Sequence, residues 1–263
     1  MIDRIIRRAR RLVERWQLDP EERRLRDLPR FQPTESVFMG RRMTVPDACT
    51  YLGAIKEIFG KGVYRFKTGN PRPRIIDCGS NIGISVIDFK TSHPEARITA
   101  FEPDPKLFAA LQKNVAAFGF ADVELRQQAV WIRNETLSFH QEGGASGRIA
   151  QADDDRLVQV QAIRLRDLLN EPVDFLKIDV EGAEIELLED LRDRLNNVEA
   201  LFVEYHSRAD QPQRLDEMLR LLREAGYRYD IKEEFSAPRP FVEVPTQVGF
   251  DLQLSISCYR RRN

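Results

Sequence analysis

A glycine-containing turn between two acidic strand ends is the part of the sequence whose residue types and spacing could do chemistry. One apolar run ends in Asp77 and is followed by a GxNxG turn from Gly79 to Gly83. A second apolar run ends in Glu102, about 20 residues further on. This layout is typical of a β-α-β unit that binds a nucleotide, in which the acid after the second strand accepts hydrogen bonds from ribose hydroxyls.

The turn differs from the GxGxxG pattern of dinucleotide sites, which indicates S-adenosylmethionine (SAM) as the cofactor. Asp77 could bind the ammonium of the methionine moiety, directly or through water, and Asn81 could bind its carboxylate. Gly79 and Gly83 would allow tight turns and a close approach of the ligand, and Glu102 would accept both ribose hydroxyls. An ordinary glycine-rich turn with two solvated acids is the plainer alternative. The predicted cofactor-binding residues are Asp77, Gly79, Ser80, Asn81, Gly83, Glu102, Pro103, Gln128 and Asp179.

Polar side chains also follow the other predicted strands. Asp179 ends one strand, and Glu181 opens the next helix, where capping alone would explain a carboxylate. Glu204 and His206 follow another strand, and strand alternation places them on the same side. Because histidine titrates near neutral pH, His206 could accept a proton from a substrate hydroxyl, with Glu204 orienting the ring. We therefore predict Asp179, Glu181, Glu204 and His206 as catalytic residues, although a buried, satisfied histidine is the alternative for His206.

The same four residues could bind a divalent metal through carboxylate oxygens and imidazole. Mg²⁺ is allowed by these residue types but is not expected. The ligand set stays unknown, because the side chains follow two different strands and spacing alone cannot test it.

The pattern of apolar runs predicts the elements that position these residues. Strands are predicted at 74–78, 97–102, 123–128, 174–179 and 200–205, and helices at 82–92, 105–119, 183–195 and 211–225. A β-excursion is predicted at 135–140 and 157–163, and a terminal hairpin at 227–233 and 251–260. Alternating strands and helices predict an α/β fold with a mostly parallel sheet and an antiparallel pair at its end. Ligands of such sheets bind at the carboxyl ends of the strands, where Gln128 could meet the adenine edge.

Residues 1–66 are predicted to form a helical N-terminal extension that could act as a lid over the catalytic domain at 67–263. Residues 2–16 alternate apolar side chains with arginines at helical spacing, as in a basic amphipathic helix. Such a helix could pack on the domain, contact a second subunit in a homo-oligomer, or touch an anionic membrane surface. Residues 28–46 are predicted to be irregular because prolines interrupt them, and Asp47 is predicted to cap a helix that ends near Gly62.

Composition limits the partners and the compartment. The formal net charge is −1, which gives no reason to expect a nucleic-acid partner. Three cysteines without paired spacing argue against a disulfide framework or a cysteine zinc site and fit a reducing cytoplasm. No apolar run approaches the roughly 18 residues of a membrane span, and the charged N-terminus lacks the apolar region of a secretory signal. A cytoplasmic location is expected.

Four motifs together resemble the FkbM-type methyltransferases: IIDCGSNIG at 75–83, AFEPDP at 100–105, FLKIDVEGAE at 175–184 and FVEYH at 202–206. The resemblance implies a Rossmann-like class I methyltransferase fold with seven strands in the order 3-2-1-4-5-7-6. It also implies SAM-dependent methyl transfer, usually to an oxygen of a small molecule, sugar or glycan. The residues that it assigns to the cofactor are Asp77, Gly79, Asn81, Gly83 and Glu102, and those beside the transfer site are Asp179 and Glu181.

Three other functions compete with this interpretation. A nicotinamide-dependent oxidoreductase is disfavoured by the missing third glycine. A nucleic-acid methyltransferase is disfavoured by the balanced charge and by the absence of an Asn-Pro-Pro-Tyr motif for a flipped base. A non-enzymatic SAM-binding or scaffold protein is disfavoured mildly by the acids and the histidine at the strand ends.

Overall fold

The computed structural model describes residues 20–140, 148–149 and 157–260. The predicted basic helix at 2–16 lies outside the described residues, as do residues 141–147, which follow the first part of the predicted β-excursion. The strands are β1 (Thr34–Phe38), β2 (Arg41–Val45), β3 (Arg74–Cys78), β4 (Arg97–Phe101), β5 (Glu124–Arg126), β6 (Ala129–Trp131), β7 (Glu135–His140), β8 (Arg148–Ile149), β9 (Leu157–Arg164), β10 (Val173–Ile178), β11 (Val198–Arg208), β12 (Arg228–Phe235) and β13 (Phe250–Tyr259). The α-helices are α1 (Pro20–Arg26), α2 (Ala48–Ala54), α3 (Ile84–Ser92), α4 (Pro105–Ala117), α5 (Glu184–Asp190) and α6 (Leu215–Glu224).

Seven of these strands form one mostly parallel sheet in the spatial order β5-β4-β3-β10-β11-β13-β12. Only β13 within this sheet runs antiparallel to its neighbours β11 and β12. Numbered from β3, the order is 3-2-1-4-5-7-6, so the predicted α/β fold and strand order are confirmed. In the register, Asp77 pairs with Lys177 and Cys78 pairs with Ile178, so β3 and β10 end side by side.

Both faces of the sheet are buried, which explains why its inner strands read as continuous apolar runs. Ile75 and Phe175 belong to a core shared with α3, α4 and the N-terminal extension. Ile76 and Leu176, one residue further along each strand, belong to a second core shared with α5 and α6. The sheet therefore holds its strand ends between two packed layers. None of the helices within the described ranges combines the length and hydrophobicity that a membrane span requires.

The N-terminal extension is not wholly helical, and the prediction that residues 28–46 are irregular is wrong for 34–45. β1 and β2 form an antiparallel hairpin joined by Met39 and Gly40, which have φ angles of 50° and 78°. Two residues with positive φ match the twist of a tight hairpin. Pro33 and Pro46 lie just outside the strands, where the missing amide removes no hydrogen bond between the strands.

The Asn114 side chain ties this hairpin to the sheet's helical layer by hydrogen bonds. Asn114 of α4 accepts a hydrogen bond from the Thr44 amide at 2.7 Å and donates to the Thr44 carbonyl at 3.0 Å. It also donates to the Ile82 carbonyl, beside the glycine turn, at 2.9 Å. The hairpin is thus attached to the same helix that supports the turn, whereas the domain boundary at residue 66 stays a prediction.

The helix after the hairpin begins and ends where the sequence indicated. The Asp47 carboxylate accepts from the Thr50 amide at 3.1 Å and caps α2. A π-helical segment, Ile55–Lys61, continues α2, and Gly62 ends it in the left-handed conformation with a φ of 69°. The predicted β-excursion is also present, because β6, β7, β8 and β9 form a separate four-stranded sheet.

Candidate active site

A cavity of about 520 Å³ opens at the carboxyl ends of β3, β4, β10 and β11. Ligand pockets in proteins commonly have volumes of about 300–1,000 Å³, and open α/β sheets place them at this edge. One wall comes from the extension, through α2 and the π-helical segment. The predicted residues that line the cavity are Gly79, Ser80, Asn81, Glu102, Pro103, Gln128, Asp179, Glu181, Glu204 and His206.

The first glycine of the turn fits where no other residue could. Gly79 has a φ of 89°, and a Cβ atom there would lie 1.9 Å from the backbone oxygen of Asp179. Gly83 has a φ of 91°, but a Cβ atom there would lie 2.7 Å from the Leu111 side chain. Gly83 is not among the residues that line the cavity, so its glycine serves the packing of α3 against α4.

Glu102 is a buried carboxylate at the cavity wall, held by the backbone. It accepts hydrogen bonds from the amides of Asn81 and Asp104, each at 2.9 Å. Burial raises the pKa of Glu102 to about 8, despite these two amides. Asn81 has a φ of 48°, and its side-chain oxygen accepts from the Ile82 amide. The acid is therefore fixed in position, as a group that meets ribose hydroxyls must be.

Asp77 lies below the cavity rather than on its wall. The side chain is fully buried and accepts a hydrogen bond from the Ser85 hydroxyl at 2.5 Å. The Ser80 hydroxyl, which does border the cavity, donates to the Asp77 backbone carbonyl at 3.1 Å. In this arrangement Asp77 supports the turn from beneath, and its predicted contact with the cofactor ammonium stays a prediction.

Lys177 is a buried cation that the sequence analysis did not assign to the site. Its ammonium donates to the Gly79 carbonyl at 2.8 Å and to Asp179 at 2.9 Å, and it lies 3.6 Å from Asp77. Burial alone would lower the pKa of Lys177. The electrostatic effects of Asp179, Tyr64 and Asp77 are larger, and they keep this pKa well above its ordinary value. One cation thus joins the ends of β3 and β10. The feature of the sequence that could have indicated this role is a lysine within an otherwise apolar strand.

His206 also lines the cavity and lies among three glutamates. Its Nδ1 is 2.9 Å from Glu184, and its Nε2 is 3.4 Å from Glu181 and 3.6 Å from Glu204. Burial opposes a charged ring, but these carboxylates, Glu184 foremost, raise the pKa of His206 well above its ordinary value. Glu204 and His206 do share one side of β11, but Glu184, not Glu204, orients the ring through Nδ1.

Glu184 is a second residue that the sequence analysis missed. It is buried, and its carboxylate accepts hydrogen bonds from the amides of Val180 at 3.2 Å and Gly182 at 3.0 Å. The loop that it caps carries Glu181 with a φ of 59° and Gly182 with a φ of 103°. Glu184 therefore fixes both the loop that presents Glu181 and the ring of His206. An acid at the start of α5 was visible in the sequence, but its partner lies on another strand.

Two further acids face the cavity from outside the predicted set. Glu57 lies in the π-helical segment, and Glu234 lies near the end of β12, with Lys61 at 3.3 Å from Glu234. Burial, with the repulsion of Glu234, raises the pKa of Glu57 to about 7. Because Asp179, Glu181 and Glu204 line the same cavity, its wall carries several acids.

The amino-acid sequence is similar to those of known methyltransferases. A family model described as the methyltransferase FkbM domain matches residues 77–229. Methyltransferase 1 of Beauveria bassiana is 30% identical over 164 residues, which are 52% of this chain and 66% of that protein. The 2-O-methyltransferase NoeI of Sinorhizobium fredii is 27% identical over 157 residues, which are 51% of this chain and 64% of that protein. The chain therefore spans slightly less than two thirds of the length of these relatives.

A solved structure agrees at the level of the fold. Methyltransferase FkbM from Methylobacillus flagellatus KT has a TM-score of 0.50 at 16% identity, covering 75% of this chain and 46% of that one. At this identity the likeness supports the architecture alone. The site itself is described by the side chains above.

Proposed function

The chain belongs to the family of the methyltransferase FkbM domain, whose model matches more than half of it, and from that premise we propose that it transfers a methyl group from SAM to a hydroxyl oxygen of a small molecule or saccharide. The observation that carries the proposal is that two sets of residues line one cavity. We assign Glu102 and the glycine turn to a cofactor end, and the acids around His206 to an acceptor end.

The first end fits the cofactor. The backbone of Gly79 leaves space that a side chain would fill, and the Glu102 oxygens are anchored by amides while facing the cavity. A carboxylate held in this way suits a pair of ribose hydroxyls, and Gln128 borders the same cavity where an adenine edge would lie. When bound, SAM supplies a methyl group that is already activated by the sulfonium.

The second end fits the acceptor hydroxyl. Asp179 is held by Lys177, and His206 is held by Glu184, so both side chains have fixed directions. A hydroxyl bound among these groups can donate to a carboxylate, which orients its oxygen and takes up its proton as the methyl group is transferred. Positioning and exclusion of water supply much of the rate in such a reaction. The name of the 2-O-methyltransferase NoeI supports oxygen as the acceptor atom.

Calorimetric titration tests the cofactor half of the proposal. We expect SAM and S-adenosylhomocysteine to bind, and NAD to give no heat. Glu102→Ala should weaken SAM binding about tenfold or more, because it removes two ribose hydrogen bonds worth about 0.5–1.5 kcal/mol each. Glu95→Ala, which removes an exposed acid, is the control and should bind like the wild type. Equal SAM affinity in Glu102→Ala, or preferential binding of NAD, would contradict the proposal.

Transfer of a labelled methyl group tests the acceptor half. SAM labelled in its methyl group is incubated with a panel of polyhydroxylated small molecules and oligosaccharides, and the products are separated from the cofactor. We expect label on an oxygen with the wild type, and strongly reduced label with Asp179→Ala and His206→Ala. SAM binding without transfer to any acceptor would instead favour a non-enzymatic SAM-binding protein.

A further inference from the structure

We propose that Asp179, Glu181 and His206 bind one divalent transition-metal ion, with Mn²⁺ as the best-matched probe, at the acceptor end of the cavity. One ligand atom from each of Asp179, Glu181 and His206 lies within 4.8 Å of the others, and Glu204 is the carboxylate next to the same histidine nitrogen. Binding of the ion does not depend on methyl transfer. Its role toward the acceptor does rest on the proposed function.

The spacing of the ligand atoms matches an ion better than a set of hydrogen bonds. His206 Nε2 lies 3.4 Å from a Glu181 oxygen and 3.6 Å from a Glu204 oxygen. Two ligands bound about 2.1 Å from one ion lie about 3.0 Å apart at a right angle and about 3.4 Å apart at a tetrahedral angle. Hydrogen bonds between nitrogen and oxygen are usually about 2.7–3.2 Å long. A small cation between these atoms would therefore require only short shifts of the side chains.

The groups that hold the candidate ligands also support a metal site. Histidines that bind metals almost always donate their other ring N–H to a carboxylate or a carbonyl. His206 does so through Nδ1, which is 2.9 Å from the acceptor-only carboxylate of Glu184, and this leaves Nε2 facing the acids. Glu184 is itself held by two backbone amides, and Asp179 is held by Lys177. Asp179 and His206 are thus oriented before an ion arrives.

Charge and donor type select the kind of ion. Lys177 is shared between Asp179 and the buried Asp77, so it serves the acids around Nε2 only in part. A dication bound there would take the place of the proton that the His206 ring otherwise carries on Nε2, because a histidine binds metal in its neutral form. Mixed carboxylate and imidazole donors favour Mn²⁺ or another first-row ion over Ca²⁺, which prefers oxygen ligands alone. An ion here would bind the acceptor's hydroxyl oxygen and lower its pKa, which eases loss of the proton.

The first test uses the whole chain, stripped with a chelator, in the absence of SAM. MnCl₂ is titrated, and free Mn²⁺ is measured by electron paramagnetic resonance. We expect one ion per chain, and we expect Glu181→Gln to weaken binding at least tenfold. Glu234→Gln is the matched control, because it removes the same charge from the same cavity outside the ligand set, and it should change the affinity less than threefold. Absence of stoichiometric binding, or equal loss in both variants, would overturn the proposal.

A second variant tests the group behind the ligands. Glu184→Gln keeps the size of the side chain and should weaken Mn²⁺ binding 10- to 100-fold, as loss of an outer partner does in known metal sites. The thermal melting of each variant is measured without metal, so that a folding defect is separated from a binding defect. Full Mn²⁺ affinity in a folded Glu184→Gln variant would refute the assigned orientation of His206. Because these assays contain no SAM, failure here and failure of the proposed function give different results.

Discussion

Replacing Lys177 by methionine should lower the free energy of unfolding by more than the burial of this side chain alone would explain. The methionine keeps most of the apolar stem but removes the ammonium that contacts Gly79, Asp179 and Asp77. Asp77 is fully buried and would keep the hydrogen bond from Ser85 while losing its cation.

The size of the effect follows from what remains unpaired. Removing one partner of a buried ion pair costs about 3–5 kcal/mol, because the other charge stays buried. The side chain of Asp179 is 22% exposed, so water can replace part of its interaction, whereas that of Asp77 is 0% exposed. We therefore expect a loss near the lower end, about 3 kcal/mol. For a chain of this size, that loss lowers the melting temperature by roughly 6–12 °C.

Urea unfolding is the direct assay. The midpoint should fall while the dependence of the unfolding free energy on urea stays unchanged, which assigns the loss to stability rather than to a changed unfolded state. Lys106→Met makes the same chemical change at an exposed position of α4 and should stay within about 0.5 kcal/mol of the wild type. A loss below about 1 kcal/mol for Lys177→Met would refute the view that this cation holds the two strand ends together.

Two further predictions concern the cofactor end. In urea unfolding, Gly79→Ala should lower the stability more than Gly119→Ala does. Of these two variants, only Gly79→Ala should weaken SAM binding. Both glycines have positive φ, but only Gly79 has backbone atoms where the new methyl would lie; equal losses would contradict this. The pKa of Glu102 is about 8 in the folded state, against an ordinary value of 4.5, so the folded state holds this proton more tightly than the unfolded state does. The contribution of Glu102 to stability therefore falls as the pH rises from 4.5 to about 8. Glu102→Gln should flatten the fall of the unfolding free energy between about pH 5 and pH 8, whereas an unchanged slope would assign the dependence to other groups.

The sheet could be predicted from the sequence because its inner strands are buried on both faces. Such strands appear as apolar runs that stop at polar residues, and the predicted strand at 74–78 coincides with β3. The hairpin of β1 and β2 was missed for the opposite reason. Its strands are buried on one side only, with Ser36 and Phe38 inward, and the flanking prolines looked like breaks in a loop.

The site residues that could be predicted have partners nearby in the sequence, and those that could not be predicted have distant partners. Gly79 and Glu102 could be predicted because the turn and the following strand lie close together in the sequence. The roles of Lys177 and Glu184 could not, because each depends on a group brought near by the pairing of separate strands. Glu57 faces the cavity from a π-helical segment, and no periodicity in the sequence indicates that geometry.

The bonds between Asn114 and the β1–β2 hairpin also bear on how the chain folds during synthesis. The hairpin leaves the ribosome first, but the side chain that holds Thr44 follows 70 residues later. At a translation rate of about 5–20 residues per second, that delay is roughly 4–14 seconds. During this time Phe38, Met43 and Val45 lack the part of their core that α4 supplies. The emerging hairpin therefore keeps apolar side chains open to aggregation until α4 has been made.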